Sequence, residues 1–500
     1  MRLRRGNIMM RTLIFIVPLV MVLSLLPNSQ GQNNSINRLI EKYRQSKSLI
    51  NGQWSVVAKS VTTGKTIIDF QGHQSLAPAS GLKLFTSAAA LDRLGGNFRI
   101  QTPLYYSGDI DSKGVLHGDV ILVGKGDPTL GSTIIKKSRP LNDVLDHWVN
   151  ALQKSGIKQI KGHIIVDISI FNNNRVPGYW PWIDIGNYYG AGTSALSIHD
   201  NLYYLHFRPG RSPGMPAKIR TTEPKMEGLN FKNFIKTGTP GSGDQGYIYC
   251  APGQNTAVLR GTIPAGFDTF TIKGSMPDPA LFAAKAFKKR LETSGVDVQN
   301  TAITSATNRT YDENKRLCII QSPPLRDIIY ILNKKSVNLY AEQLVKLMDY
   351  KTNQKPGDLN RGLKIIKKFL NEQDIDTSSI TLFDGSGLSR TNRISALAMA
   401  ELLLQMTKHS EFTAFYESLG IAGDANESGS YKNFGENTII AGNARVKTGL
   451  INGVRSHSGY VKSQSGEIIT FSMIANNYDG HLYIIDQFHE NLLIHIAKNY

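Results

Sequence analysis

The sequence predicts a mixed α/β (α+β) fold: an antiparallel sheet flanked by helices and interrupted by a large β-rich insertion. Three observations point there. Near the start, two strand-like stretches lead into a helix. Near the end, three strand-like stretches lead into another. Between them runs a long segment of short strands and turns. With 500 residues, 41% hydrophobic and 19% charged, the chain can bury sizeable cores. That length suits roughly two to four domains.

The elements follow in order. Arg2, Arg4, Arg5 and Arg11 precede an uncharged run from Thr12 to Pro27, and Ser29-Gln30-Gly31 follows. Charged, apolar and then small residues are the order of a secretory leader, expected here over residues 1–31. The apolar run is shorter than the ~20 residues a spanning helix needs. Ile36 to Tyr43 reads as a short amphipathic helix. Trp54 to Val61 and Thr66 to Phe70 read as a hairpin around Thr62-Thr63-Gly64-Lys65. A helix is expected from about Ser80 to Leu94, capped by Ser80 and stopped by Gly95-Gly96.

The middle, from Gly96 to about Thr310, carries strand-like pieces such as GDVILVGKGDPTL and GHIIVDISIF. Its GTPGSGDQG stretch, residues 238–246, lacks the Lys-Ser/Thr ending of a phosphate loop and reads as a surface loop. Helical spacing returns over Leu325–Leu332, Leu339–Met348, Leu359–Leu370 and Ile394–Met406. Ala444–Leu450, Ser456–Lys462 and Glu467–Ala475 read as strands. The last helix, Leu482 to Lys498, has Ile485, Phe488, Leu492 and Ile496 on one face. That stripe suits core packing better than a membrane surface, because the helix is not strongly basic.

The formal net charge is +18. It suits a polyanionic neighbourhood, but the positive charge is scattered rather than striped, and no nucleic-acid motif accompanies it. Export argues for the cell envelope. Cys250 and Cys318 are the only cysteines, so no disulfide framework holds the chain, and spacing leaves open whether the two pair.

Three short motifs carry the chemistry. Ser80 and Lys83 lie three apart at a helix mouth, on one face, so the amine can reach the hydroxyl. A lysine can replace histidine as the base for a serine nucleophile if it is neutral. At its ordinary pKa only about one lysine in 2,500 is neutral at pH 7, and gaining about three units takes roughly 4 kcal/mol. Burial and a second cation can supply that shift. Lys447-Thr448-Gly449, on a predicted strand, offers the cation and a hydroxyl, with a glycine that lets a peptide lie along the strand edge. Ser336-Val337-Asn338, just before a helix, offers a proton-passing hydroxyl and an amide.

Each motif also recurs elsewhere: Ser155 to Lys158, Ser35 to Asn37, and Lys236 to Gly238. The extras fail on context. Ser155 ends a helix, Ser35 sits in the expected ragged start, and Lys236 enters a Gly/Pro loop. Only the set at 80, 336 and 447 combines order with helix, helix-entry and strand contexts.

SxxK, SxN and KTG in that order are the elements of penicillin-recognising serine enzymes. With GDVILVGKGDPTL (118–130), WPWIDIGNYYGAGTSAL (180–196), SVNLYAEQLVK (336–346) and DGSGLSRTNRIS (384–395), the chain resembles the D-alanyl-D-alanine carboxypeptidase/endopeptidase family, the class C low-molecular-mass penicillin-binding proteins. The resemblance covers nearly the whole chain after the leader. It implies a penicillin-binding/β-lactamase-like transpeptidase domain over 32–95 and 311–500. An inserted domain over 96–200 and 275–310 would carry a nested one over 201–274.

The resemblance also implies roles. Ser80 would attack the carbonyl of the penultimate D-alanine, with Lys83 as general base. Backbone N–H groups of Ser80 and Leu450 would form the oxyanion hole, where removing a donor typically costs ~3 kcal/mol. Ser336 would pass a proton to the departing D-alanine, and Asn338 would orient the substrate amide. Lys447 and Thr448 would hold the terminal carboxylate beside Gly449, and Lys447 would help keep Lys83 neutral. Asp184, in the insertion, would read an amino group on the stem-peptide side chain. The implied partners are peptidoglycan stem peptides, with β-lactam antibiotics as inhibitors, in the periplasm or at the envelope. No cofactor, metal or nucleic acid is called for. A β-lactamase or esterase of the same superfamily, or a non-catalytic envelope-binding scaffold, are the alternatives. Gly81 and Val337 depart from the commonest motif residues, and Gly81 predicts a looser first turn.

Overall fold

The computed structural model describes residues 29–427 and 429–500. The expected leader falls outside these residues except for its last three positions, which belong to the first helix, α1 (Ser29–Arg44). The chain then forms the hairpin β1 (Gln53–Ser60) and β2 (Thr66–Phe70). A short 3-10 turn, Ala79–Leu82, leads into α2 (Lys83–Leu94).

The insertion follows. A five-stranded sheet runs in the order Ala302–Ser305, Ile164–Asp167, Val120–Val123, Gln101–Tyr106 and Arg316–Gln321. Helices Leu141–Lys154 and Pro279–Thr293 pack Trp148 and Phe287 against its apolar residues. A strap follows this sheet's central strands, with one helical turn, α3 (Trp182–Ile185). Beyond it lie two smaller sheets with their own core around Tyr203, Phe207, Ile248 and Leu259. One contains β3 (Gln245–Tyr249) paired antiparallel with β4 (Thr256–Pro264).

The chain returns through helix Leu325–Lys334 to α4 (Asn338–Asn353), helix Leu359–Glu372 and α5 (Ala396–Met406). It closes with β5 (Gly420–Ile421), β6 (Arg445–Ile451), β7 (Val454–Lys462), β8 (Ile468–Asn476) and α6 (Leu482–Asn499). These strands join the opening hairpin in one antiparallel sheet, ordered β5-β6-β7-β8-β1-β2.

Strand alternation assigns the two faces of that sheet. Trp54, Val56 and Ala58 of β1, with Phe471 and Met473 of β8, pack against α1 and the α6 stripe of Ile485, Phe488, Leu492 and Ile496. Val57 and Ile474 point the other way, into a larger core built by α2, α4, α5 and the helices beside them. The α6 stripe is therefore core packing. Among the described residues no helix is long and apolar enough to cross a membrane.

Three local expectations are corrected. Ser80 is not an α-helical N-cap. It lies inside the 3-10 turn, and α2 begins three residues later with no side-chain cap. Lys236–Gly238 is a short strand parallel to the end of β4, because its backbone completes that sheet. Ser35 lies within α1 rather than in a ragged end.

Candidate active site

The cleft is built where the 3-10 turn meets the β6–β7 edge. Fit between backbone surfaces sets it. A Cβ on Gly449 would lie 2.5 Å from the carbonyl oxygen of Pro78 and 2.9 Å from the amide of Gly81, so only glycine lets the strand touch the turn. Gly81 is less constrained: its added Cβ would meet the Ser456 hydroxyl at 3.0 Å, which can swing aside. Ser456 Oγ donates to the Pro78 carbonyl at 2.7 Å and ties β7 to the same turn. Gly81 thus fits the close approach of β7, whereas the sequence suggested only a looser helix.

Both hydroxyl-bearing segments are held in unusual backbone conformations. Ala79, just before Ser80, has φ +46°, and Ser336 has φ +55°. Left-handed non-glycine residues are uncommon and persist where surrounding structure imposes them.

Two of the motifs meet at Lys83, and the third joins them through Ser336. Lys83 Nζ lies 2.9 Å from Ser80 Oγ, 2.6 Å from Asn338 Oδ1 and 2.7 Å from the carbonyl oxygen of Ser386. The Asn338 amide is oriented by its Nδ2, which donates to the Tyr189 carbonyl at 2.8 Å, so Oδ1 must face the lysine. Two of the three neighbours are therefore acceptors only. A neutral amine has two hydrogens for them and one lone pair left for the Ser80 hydroxyl.

Lys83 is fully buried, and burial lowers its pKa to about 7 against the pull of Asp384 and Glu342. Glu342 sits one turn along α4 from Asn338. It accepts from the backbone N–H groups of Gly385 and Ser386, and burial followed by the charge of Asp384 raises it to about 8.

Across the cleft, Lys447 Nζ lies 3.2 Å from Ser336 Oγ and 2.6 Å from the Thr448 carbonyl. Lys447 is also fully buried. Its pKa falls well below the ordinary value through burial, then repulsion from Lys83 and Arg455. The expected mutual repulsion is thus present but falls on Lys447, whereas burial is what lowers Lys83. Thr448 and Leu450 follow on β6, opposite His457 and Arg455 of β7, and Leu450 is half exposed.

Asp184 lies on α3, at the insertion side. Burial raises its pKa while Arg390 and the Tyr189 hydroxyl pull it down. It therefore shares this end of the cleft with the 384–390 loop rather than with Ser80 directly. Sequence reasoning missed Glu342, Asp384 and Trp180. Asp384 accepts from Trp180 Nε1 at 2.8 Å and from the amides of Gly387 and Ser389, which locks the loop whose Ser386 carbonyl faces Lys83. Glu342 had a readable signal, its four-residue step from Asn338. The Trp180 link crosses 204 positions, and no local pattern marks it.

A serine hydroxyl against a buried, neutral-poised lysine, with a second hydroxyl–lysine pair opposite, equips the site for acyl transfer through serine. The sequence matches the D-Ala-D-Ala carboxypeptidase 3 (S13) family over residues 36–487, and the chain belongs to that family of serine-type peptidases. It is 30% identical over 435 residues to a D-alanyl-D-alanine carboxypeptidase of Actinomadura sp. (strain R39), covering 85% of this chain and 78% of that protein. It is 25% identical over 426 residues to the D-alanyl-D-alanine carboxypeptidase DacB of Haemophilus influenzae, covering 84% and 85%. The fold matches the crystal structure of penicillin-binding protein 4 from Haemophilus influenzae with a TM-score of 0.80 at 24% identity, over 92% of this chain and 99% of that one. That protein has also been solved complexed with a β-lactam.

Proposed function

We propose that this protein removes the terminal D-alanine from peptidoglycan stem peptides, or cuts cross-links beside a D-alanine, through an acyl-enzyme on Ser80. Family membership supports the substrate class. The 2.9 Å contact between Lys83 Nζ and Ser80 Oγ, inside a site that favours the neutral amine, is the observation that carries the mechanism.

In that mechanism the Lys83 lone pair takes the Ser80 proton as Oγ bonds to the carbonyl carbon of the penultimate D-alanine. The N–H groups of Ser80 and Leu450 hold the oxyanion. The C–N bond then breaks, and the proton leaves Lys83 through Ser336 to the departing amine. Asn338 orients the substrate amide. Lys447 and Thr448 receive the terminal carboxylate, which would return a full charge to the Lys447 ammonium. Water, deprotonated by Lys83, attacks the ester carbon, and Oγ regains its proton. A β-lactam enters the same path and stops at the acyl stage. Asp184 pairs with an amino group on the stem-peptide side chain.

The same reading divides the chain into a catalytic domain over 32–95 and 311–500, an inserted domain over 96–200 and 275–310, and a nested domain over 201–274. It assigns residues 1–31 to export, with the protein acting in the periplasm or at the envelope.

The test is D-alanine release from a pentapeptide ending in D-Ala-D-Ala. Wild type should release it, and Ser80→Ala should lose the activity. Rapid nitrocefin hydrolysis without D-alanine release would instead favour a β-lactamase, and penicillin labelling of neither protein would favour a scaffold.

A further inference from the structure

The single turn α3 has two flanks. Residues step about 100° around a helix, so the two-residue step from Trp182 to Asp184 sends their side chains to opposite sides. Asp184 faces Tyr189 and Arg390. The Trp182 ring lies 6.2 Å from that of Tyr249 on β3, tilted by 41°, and is 51% exposed. Together they wall a cleft of about 450 Å3 floored by Thr256, Val258 and Arg260 of β4, with Gln254 beside them. Those β4 residues face one way because Ala257 and Leu259 between them are fully buried. Arg260 also lies 6.0 Å over the ring of Phe234, itself 61% exposed.

Trp182 keeps half its surface exposed beside the half-buried Tyr249 ring, and an exposed ring walling a cleft suits binding better than packing. The cleft is also fixed relative to Ser80. On the nested side, Ile248 N donates to Asn187 Oδ1 at 3.2 Å and Ser275 N to the Gly186 carbonyl at 3.0 Å. On the catalytic side, Asn338 Nδ2 and Trp180 Nε1 hold the same strap at 2.8 Å each.

We infer that the Trp182–Tyr249 cleft is a subsite for the glycan part of the substrate, taking an acetamido-sugar ring against the aromatic faces while the stem peptide runs along the other flank of α3. The inference rests on the peptidoglycan reading above. A pyranose ring offers C–H groups to an aromatic face and hydroxyls at its edge. Gln254 and Arg260 supply donors for those hydroxyls and for the acetamido carbonyl, and the Thr256 oxygen, whose proton goes to Asn255 Oδ1 at 3.3 Å, can accept. The volume lies in the range of small-molecule sites.

The experiment compares two substrates with the same D-Ala-D-Ala end, a disaccharide-pentapeptide and the sugar-free pentapeptide, in wild type, Trp182→Ala and Tyr249→Ala. Both variants should lose about tenfold in kcat/KM on the disaccharide substrate, mainly through KM, and keep wild-type turnover of the sugar-free peptide. Intrinsic fluorescence of wild type should respond to a peptide-free β-1,4 tetramer of N-acetylglucosamine, and that of Tyr249→Ala should not. Equal losses on both substrates, or none on either, would overturn the subsite. Release of D-alanine from neither substrate by wild type would count against the peptidase reading, while tetramer binding that is lost in Tyr249→Ala would still support the subsite.

Discussion

Lys83 has three neighbours, and its charge state decides what it can do for each. As an ammonium it must donate to all of them and cannot take a proton. As an amine it satisfies Asn338 and Ser386 and leaves its lone pair to Ser80. Two predictions follow at this scale. The rate of acylation by penicillin should rise with pH along a limb centred near 7, falling about tenfold per unit well below it. A limb above pH 9 would contradict a burial-lowered lysine. The second concerns stability. The folded-state pKa lies below the unfolded one, so the folded protein binds the proton less well. The penalty is greatest below about pH 7 and fades as pH rises toward the unfolded value of 10.5. It amounts to on the order of 4 kcal/mol near neutrality. The thermal midpoint of Lys83→Met minus that of wild type should therefore fall as pH rises from 7 toward 10, on top of a pH-independent loss from the unpaired Asn338 and Ser386 oxygens. A difference independent of pH, read by calorimetry, would rule the burial penalty out.

At the scale of elements, the cleft depends on a strand lying flush against a turn. Gly449→Ala pushes a methyl into the Pro78 carbonyl and the Gly81 amide, so turn or strand must move. The expected result is at least a tenfold loss of penicillin acylation with a lowered thermal midpoint, since overpacking of this kind costs about 1–3 kcal/mol. Acylation at the wild-type rate would mean that the turn does not need the strand.

This is also the scale at which the sequence was most readable. β1, β2, β6, β7, β8, α4 and α6 follow directly from period-2 and helical spacing with turn residues between. The start of α2 does not. Its 3-10 turn fits against Gly449 and Ser456 from the far end of the chain, a contact of which Gly81's poor helix propensity showed only a loosened first turn. The role of Asp384 was hidden for the same reason, because a carboxylate's worth depends on which backbone amides fold over it, whereas Glu342 showed at least its helical step from Asn338. The motifs gave Ser80, Lys83, Asn338, Ser336 and Lys447, and the structure brings those five together. Asp184 stands at the edge of that group.

At the scale of the whole molecule, the insertion packs Ile135, Ile170, Phe171 and Ala195 into the core built by α2 and α4, and the links from Trp180 and Asn338 add to that packing without any disulfide among the described residues. Cys250 lies in the core around Tyr203, and Cys318 lies on the edge strand Arg316–Gln321 of the five-stranded sheet; both are free. Burial pushes each thiol up to about 11, which leaves little thiolate at neutral pH. The native protein should therefore react slowly with a thiol reagent and yield two thiols on unfolding without reductant. Its thermal midpoint should not change with dithiothreitol. A drop on reduction would reveal a disulfide.

The proposed chemistry rests on Ser80 as the nucleophile, and mass spectrometry of the penicillin-treated protein tests that most directly. One adduct is expected, on the peptide containing Ser80, present in wild type and absent from Ser80→Ala. An adduct on another side chain, or one that persists in Ser80→Ala, would contradict it.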